Sequence, residues 1–100
     1  MDEERRRSER IPLSIEARWE GLSSQHTARV SDISIGGCFL DTTVTATEGE
    51  PINFEIKLPT GAWLPLRGQV AFHQHGVGFS VRFLDLTEEE HFALTKLINR

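Results

Sequence analysis

Two groups of residues in this 100-residue chain have the types and spacing for binding chemistry. The first is Arg6-x-x-x-Arg10, with Arg5 and Arg7 beside it. The second is Asp32-x-Ser34-x-x-Gly37. Arginine presents a planar fork of donors that fits phosphate oxygens, and equally the O6 and N7 acceptors of guanine. An aspartate carboxylate accepts from the N1–H and N2–H₂ edge of guanine, and a serine hydroxyl donates or accepts. Glycine lets backbone approach a flat base closely. Together the two groups describe a site for a ligand that is both anionic and guanine-bearing. Singly, each has an ordinary account: a solvated arginine arm, and an Asx or Ser turn that joins two strands.

Other chemistry finds little support. Ser34 lacks the G-x-S-x-G setting of a nucleophile elbow, and no histidine neighbours it. There is no G-x-x-x-x-G-K-[ST] phosphate loop. An enzyme is therefore not expected. His73 and His75 could face one side of a strand, but zinc needs two further ligands. His26, Cys38 and His91 enter only by elimination, so no metal is expected. Cys38, the single cysteine, reads as a small buried residue.

These residues need elements to hold them. Residues 1–10 contain four acids, four arginines and one apolar residue, Met1. They read as a flexible, Arg-rich arm that cannot bury itself. From Pro12 the period is two: Leu13, Ile15, Ala17 and Trp19 alternate with polar residues, which predicts a half-buried strand. Residues 26–33 predict a second strand, less regular near its end, and 38–43 a third. Ile52, Phe54, Ile56 and Leu58 mark a fourth. Leu64, Leu66, Val70 and Phe72 share one face of a fifth, with Gly68 at the same parity marking a bulge or a close backbone approach. Val77, Phe79, Val81 and Phe83 line a sixth. Thr87 and Glu90 match a capping box, and the apolar spacing after it predicts a helix over about 87–99. The fold class that follows is all-β with a terminal helix: a six-stranded antiparallel β-barrel over 11–100, plus a C-terminal α-helix.

Composition narrows the partners. The net charge is −4, and residues 11–100 hold 7 basic and 11 acidic residues. A nucleic-acid binder needs a basic face, so none is expected. No apolar run approaches the 18 or more residues of a membrane span. One cysteine allows no internal disulfide. A soluble, cytoplasmic protein with no membrane insertion is the expectation.

The chain resembles the PilZ domain, a bacterial receptor module for cyclic di-GMP. The likeness rests on Arg6-Arg7-Ser8-Glu9-Arg10, then Asp32-Ile33-Ser34-Ile35-Gly36-Gly37, in that order and with a fitting gap. Residues 76–83 followed by Leu84-Asp85-Leu86-Thr87 also resemble the family's last strand and helix start. The resemblance implies a non-catalytic cyclic di-GMP receptor or adaptor that regulates a downstream protein as its arm changes conformation. It carries Arg6 and Arg10 over as clamps on phosphate and guanine edges, and Asp32, Ser34 and Gly37 as the barrel half of the site. Arginine at position 5 implies two stacked ligand molecules per chain; Arg7 contacts ligand or only solvent. Some family members instead bind proteins without nucleotide, and loss of either motif would signal that alternative.

Overall fold

The structure is a computed structural model that describes residues 11–20 and 25–99. The expected arm, with Arg5, Arg6 and Arg10, lies outside the described residues. Six strands form in chain order: β1 (Ile11–Glu20), β2 (Gln25–Ile33), β3 (Gly37–Asp41), β4 (Pro51–Lys57), β5 (Trp63–Gln74) and β6 (Gly78–Phe83). One helix, α1 (Glu88–Ile98), follows. The sheet closes on itself in the order β1-β2-β3-β6-β5-β4, and neighbouring strands pair antiparallel throughout. This is the six-stranded barrel with a terminal helix that the alternation predicts.

The period-two residues fill the interior. Ala17 and Trp19 from β1, Phe54 and Ile56 from β4, and Phe79, Val81 and Phe83 from β6 are all buried. The Trp19 ring meets Phe79 edge-on at 5.8 Å, an arrangement the ring quadrupoles favour. Closure depends on the seam between β1 and β4, where Ala17↔Ile56 and Arg18↔Glu55 are the pairs in register among the described residues. The outside of that seam is strapped by Arg18, whose Nε donates to Glu55 Oε1 at 2.7 Å. Its guanidinium also lies 3.8 Å from the Trp63 ring centroid, a cation–π contact.

The helix begins as its sequence requires. Thr87 accepts from Glu90 N, and the Glu90 carboxylate accepts from Thr87 N at 3.0 Å, completing the capping box. Leu94 and Leu97 enter the barrel core. Phe92 keeps to the solvent face, 64% exposed, with Lys96 Nζ 5.6 Å from its ring one turn on.

Two expectations change in detail, and the alternative left open at Gly68 is resolved. The fifth strand does not keep one face: a register shift between Val70 and Phe72 turns the Phe72 ring outward. Gly68 is not that bulge. It marks a close approach, since a Cβ there would collide with Val81 Cγ1 and the Arg82 carbonyl oxygen on β6. Val77 belongs to the β5–β6 turn, where its N–H donates to Gln74 O at 3.0 Å, and it too is exposed.

Candidate functional site

The described half of the two-motif constellation lies at the end of β2 and the start of β3. Along β2 the inward residues are His26, Ala28 and Val30, and then Ile33. The change from a spacing of two to three has a visible cause. Val30 pairs with Leu40 and Asp32 pairs with Phe39, so β2 has one extra residue, Ser31, against β3. Strict alternation from Val30 would carry Asp32 into the core; the bulge turns it to the outer face instead. β1 shifts register at the same level, between Pro12 and Ile15. Bulges re-aim side chains in this way at the rims of barrels.

The next four residues form a tight loop. Ser34 N–H donates to Gly37 O at 2.8 Å, and Gly36 N–H donates to Ser34 Oγ at 3.2 Å. The Ser34 hydroxyl points its own proton toward Gly37 O, 3.4 Å away. That leaves one hydroxyl lone pair for a ligand. Gly36 O accepts from Phe83 N at 2.9 Å, which ties the loop to β6. A Cβ at Gly36 would meet nothing within 4 Å, whereas one at Gly37 would collide with the Val81 carbonyl oxygen. Gly37 is thus required by the barrel's own packing, and Gly36 leaves open space above the loop.

The register of β1 sets its first residues beside this loop. Ile11 pairs with Ile33, and Pro12 pairs with Asp32. Arg5, Arg6 and Arg10 themselves lie outside the described residues.

Beyond the loop sits a charged latch absent from the sequence reading. Arg67 Nη2 donates to Glu90 Oε1 and to Asp85 O, both at 2.7 Å. The Arg67 guanidinium holds the Glu90 carboxyl below the usual carboxylate range, chiefly through this hydrogen bond, and Glu90 in turn raises Arg67. Asp85 takes a positive φ of 54° between β6 and α1, a strained conformation for a residue with a side chain. Nothing in the spacing of Arg67 and Glu90, 23 residues apart, signals the contact in advance.

Other candidates separate from this face. Among the described residues, no group of three or more His, Cys, Asp or Glu side chains could hold a metal ion. The His73 and His75 rings are 6.4 Å apart. Cys38 is fully buried. A cavity of about 1140 Å³, lined by Trp19, His26, Val44 and Phe54 among others, contains none of Asp32, Ser34 or Gly37. No described helix is long and apolar enough to cross a membrane.

The family model described as the PilZ domain matches residues 4–100. Solved structures agree in fold. The PilZ domain of CeSA from a cellulose-synthesizing bacterium aligns with a TM-score of 0.68 at 23% identity, covering 92% of this chain and 96% of that one. The PilZ domain with c-di-GMP of YcgR from Escherichia coli aligns with a TM-score of 0.75 at 21% identity, covering 95% and 89%. The Bacillus subtilis inhibitor of motility MotI/DgrA gives 0.76 at 15% identity, over 91% of this chain and 47% of that one. At such identities the likeness is one of fold. No curated protein matches the chain.

Proposed function

The chain belongs to the PilZ domain family, and from that premise we propose that it is a cyclic di-GMP receptor that acts on a downstream protein. One observation carries the reading: the β1–β2 register joins the Arg6-x-x-x-Arg10 segment to the strand that pairs with Asp32, beside the Ser34 loop. In this reading the two motifs, more than twenty residues apart in sequence, meet at one place on the barrel. The YcgR relative is a PilZ domain with c-di-GMP, which supports the ligand class.

In this reading Asp32 accepts from the Watson–Crick edge of a guanine, and the remaining lone pair of Ser34 accepts beside it. Arg6 and Arg10 bind phosphate and guanine edges from the arm side. Gly37 acts through the backbone, by setting the loop against β6. Fixing ten arm residues costs on the order of 10 kcal/mol of backbone entropy. Several charge-assisted hydrogen bonds, each worth roughly 1.5–3 kcal/mol, offset it. Reversible binding follows, as a second-messenger sensor needs. The output is the changed position of residues 1–10 on the barrel, which exposes or covers a surface for the downstream protein. No catalytic step is part of this role.

Arg5 extends the proposal to two ligands per chain. Its side chain alternates with that of Arg6 in an extended segment. Two stacked molecules bring four phosphate charges together, and their repulsion needs further cations close by. Calorimetric titration with cyclic di-GMP, with GTP and cyclic GMP as controls, tests both parts. The expected result is preference for cyclic di-GMP and a saturating ratio of two, falling toward one in Arg5→Leu. Equal affinity for the linear nucleotide would remove the dedicated site, and a wild-type ratio of one would remove the role of Arg5.

A further inference from the structure

Arg82 lies outside both motifs, yet the sheet register sets it beside the loop. Asp32 pairs with Phe39, and Phe39 pairs with Ser80. Two residues along from Phe39 and Ser80, Gly37 pairs with Arg82. Asp32 and Arg82 therefore share the outer face, two strand spacings apart and two residues apart along the strands. With strands about 4.8 Å apart and a rise of about 3.3 Å per residue, that separates their Cα atoms by roughly 12 Å.

What lies between them is glycine backbone. Gly37, itself buried, has no side chain, and the space above the exposed Gly36 is open. The large outward side chain on the intervening strand, Phe39, leans the other way: its Cε1 is within 2.8 Å of where a Gly78 Cβ would be, and Gly78 pairs with Asp41, beyond Phe39 from Gly37. The face thus has a flat floor with a carboxylate on one side and a guanidinium on the other.

The guanidinium is also held in place and underused. Arg82 Nη2 donates to Gln69 Oε1 at 2.6 Å, and Gln69 Nε2 donates to Gly49 O at 3.0 Å. The second bond fixes which end of the Gln69 amide faces Arg82. Arg67, Arg18 and Lys57 each have a carboxylate partner, whereas Arg82 has this neutral amide among the described residues. Most of its five N–H donors are available.

Resting on the cyclic di-GMP reading above, we propose that Arg82 is a further ligand-binding residue, which takes the O6/N7 edge of the guanine whose opposite edge is bound by Asp32. Arg82 has the longer reach of the two side chains, so from its place beside Gln69 it can extend over this floor to a guanine whose other edge meets the short Asp32 carboxylate. The O6 and N7 acceptors match the guanidinium fork, and adenine, with a donor at N6, does not. Arg82 thereby sets base selectivity, while Gln69 is a positioning residue that acts through it.

The test is calorimetric titration of the wild type, Arg82→Gln and Arg82→Lys with cyclic di-GMP and with its 7-deazaguanine analogue, which lacks N7. Arg82→Gln weakens cyclic di-GMP binding by about five- to hundred-fold. Arg82→Lys, which keeps the charge without the fork, recovers only part of the loss. The deaza analogue binds the wild type more weakly, and Arg82→Gln does not weaken it much further. Thermal unfolding of the ligand-free variants stays at the wild-type temperature, which separates a binding role from a folding one. Wild-type binding with an Arg82→Gln affinity equal to it would overturn the role of Arg82 and leave the receptor reading intact. Equal, additive losses for the two ligands would assign Arg82 to phosphate and overturn its reading of the base. A wild type that binds no cyclic di-GMP would overturn both readings together.

Discussion

Arg67 and Arg82 stand on adjacent strands at the same end of the barrel and differ in what they hold. Arg67 closes a circuit within the fold, from β5 to the Asp85 carbonyl and the Glu90 carboxylate at the start of α1. Arg82 is exposed and donates to the Gln69 amide. The same contrast separates the surroundings. Around Arg67 the backbone is tied down, with Leu84 N–H on Arg67 O and Glu90 capping Thr87. Around Arg82 the surface is glycine backbone and open space. A guanidinium that has its carboxylate serves the fold. One that is oriented and has no carboxylate partner among the described residues is, in the proposal above, held for a ligand that brings the negative charge.

The strongest way to break this comparison is Gly37→Ala. Its Cβ would collide with the Val81 carbonyl oxygen, so β3 and β6 must separate. Overpacking of this kind costs typically 1–3 kcal/mol, and chemical denaturation is expected to show a loss at the upper end of that range. A variant that kept full stability but lost ligand would move Gly37 from the packing of the barrel into direct ligand contact.

Asp32→Ala acts on the binding side alone. Loss of one charged hydrogen bond is expected to weaken cyclic di-GMP binding by about 1.5–3 kcal/mol, read by calorimetry, with the ligand-free melting temperature little changed. Arg10→Ala is expected to behave alike. An unfolded Arg10→Ala protein would make that arginine structural and erase the distinction between the two kinds of arginine.

On the latch side, Thr87→Ala removes an N-cap oxygen that Glu90 N–H uses at 3.1 Å. Such caps are worth about 1 kcal/mol, visible as a lowered melting temperature with cyclic di-GMP affinity unchanged.

The smallest effect is a pH dependence. The Glu90 carboxyl is held below its ordinary range in the fold by Arg67. A lowered native pKa means that the unfolded chain binds the proton more readily. The contribution is therefore complete above the ordinary carboxylate range and is lost as pH falls through the lowered value. Glu90→Gln is expected to flatten the acid limb of a stability–pH curve measured by denaturant titration. An unchanged acid limb would show that the latch is not charged in the way its geometry implies.

Much of this was legible in the sequence, and the exceptions have physical causes. Ala17, Trp19, Phe54, Ile56, Phe79 and Val81 keep strict alternation, so their strands and burial follow from period two. Alternation fails wherever the backbone inserts a residue. Ser31 turns Asp32 outward, and the shift after Val70 turns Phe72 outward; neither has a marker in residue type. The capping box is local in sequence, so Thr87 and Glu90 were readable, but the Arg67–Glu90 contact joins elements that only closure of the barrel brings together. Arg82 was unreadable for a different reason. On its strand it is an ordinary outward residue, and only the pairing with Gly37 gives it a place beside Asp32.

The most direct test of the central claim is to follow the backbone amide resonances while cyclic di-GMP is added. The account predicts the largest shifts at Asp32 to Cys38, at Arg82 and in residues 5–10, with Arg67 and α1 changing less. Shifts concentrated instead at Trp19, His26, Val44 and Phe54, around the cavity, with Asp32, Ser34 and Arg82 unmoved, would contradict it.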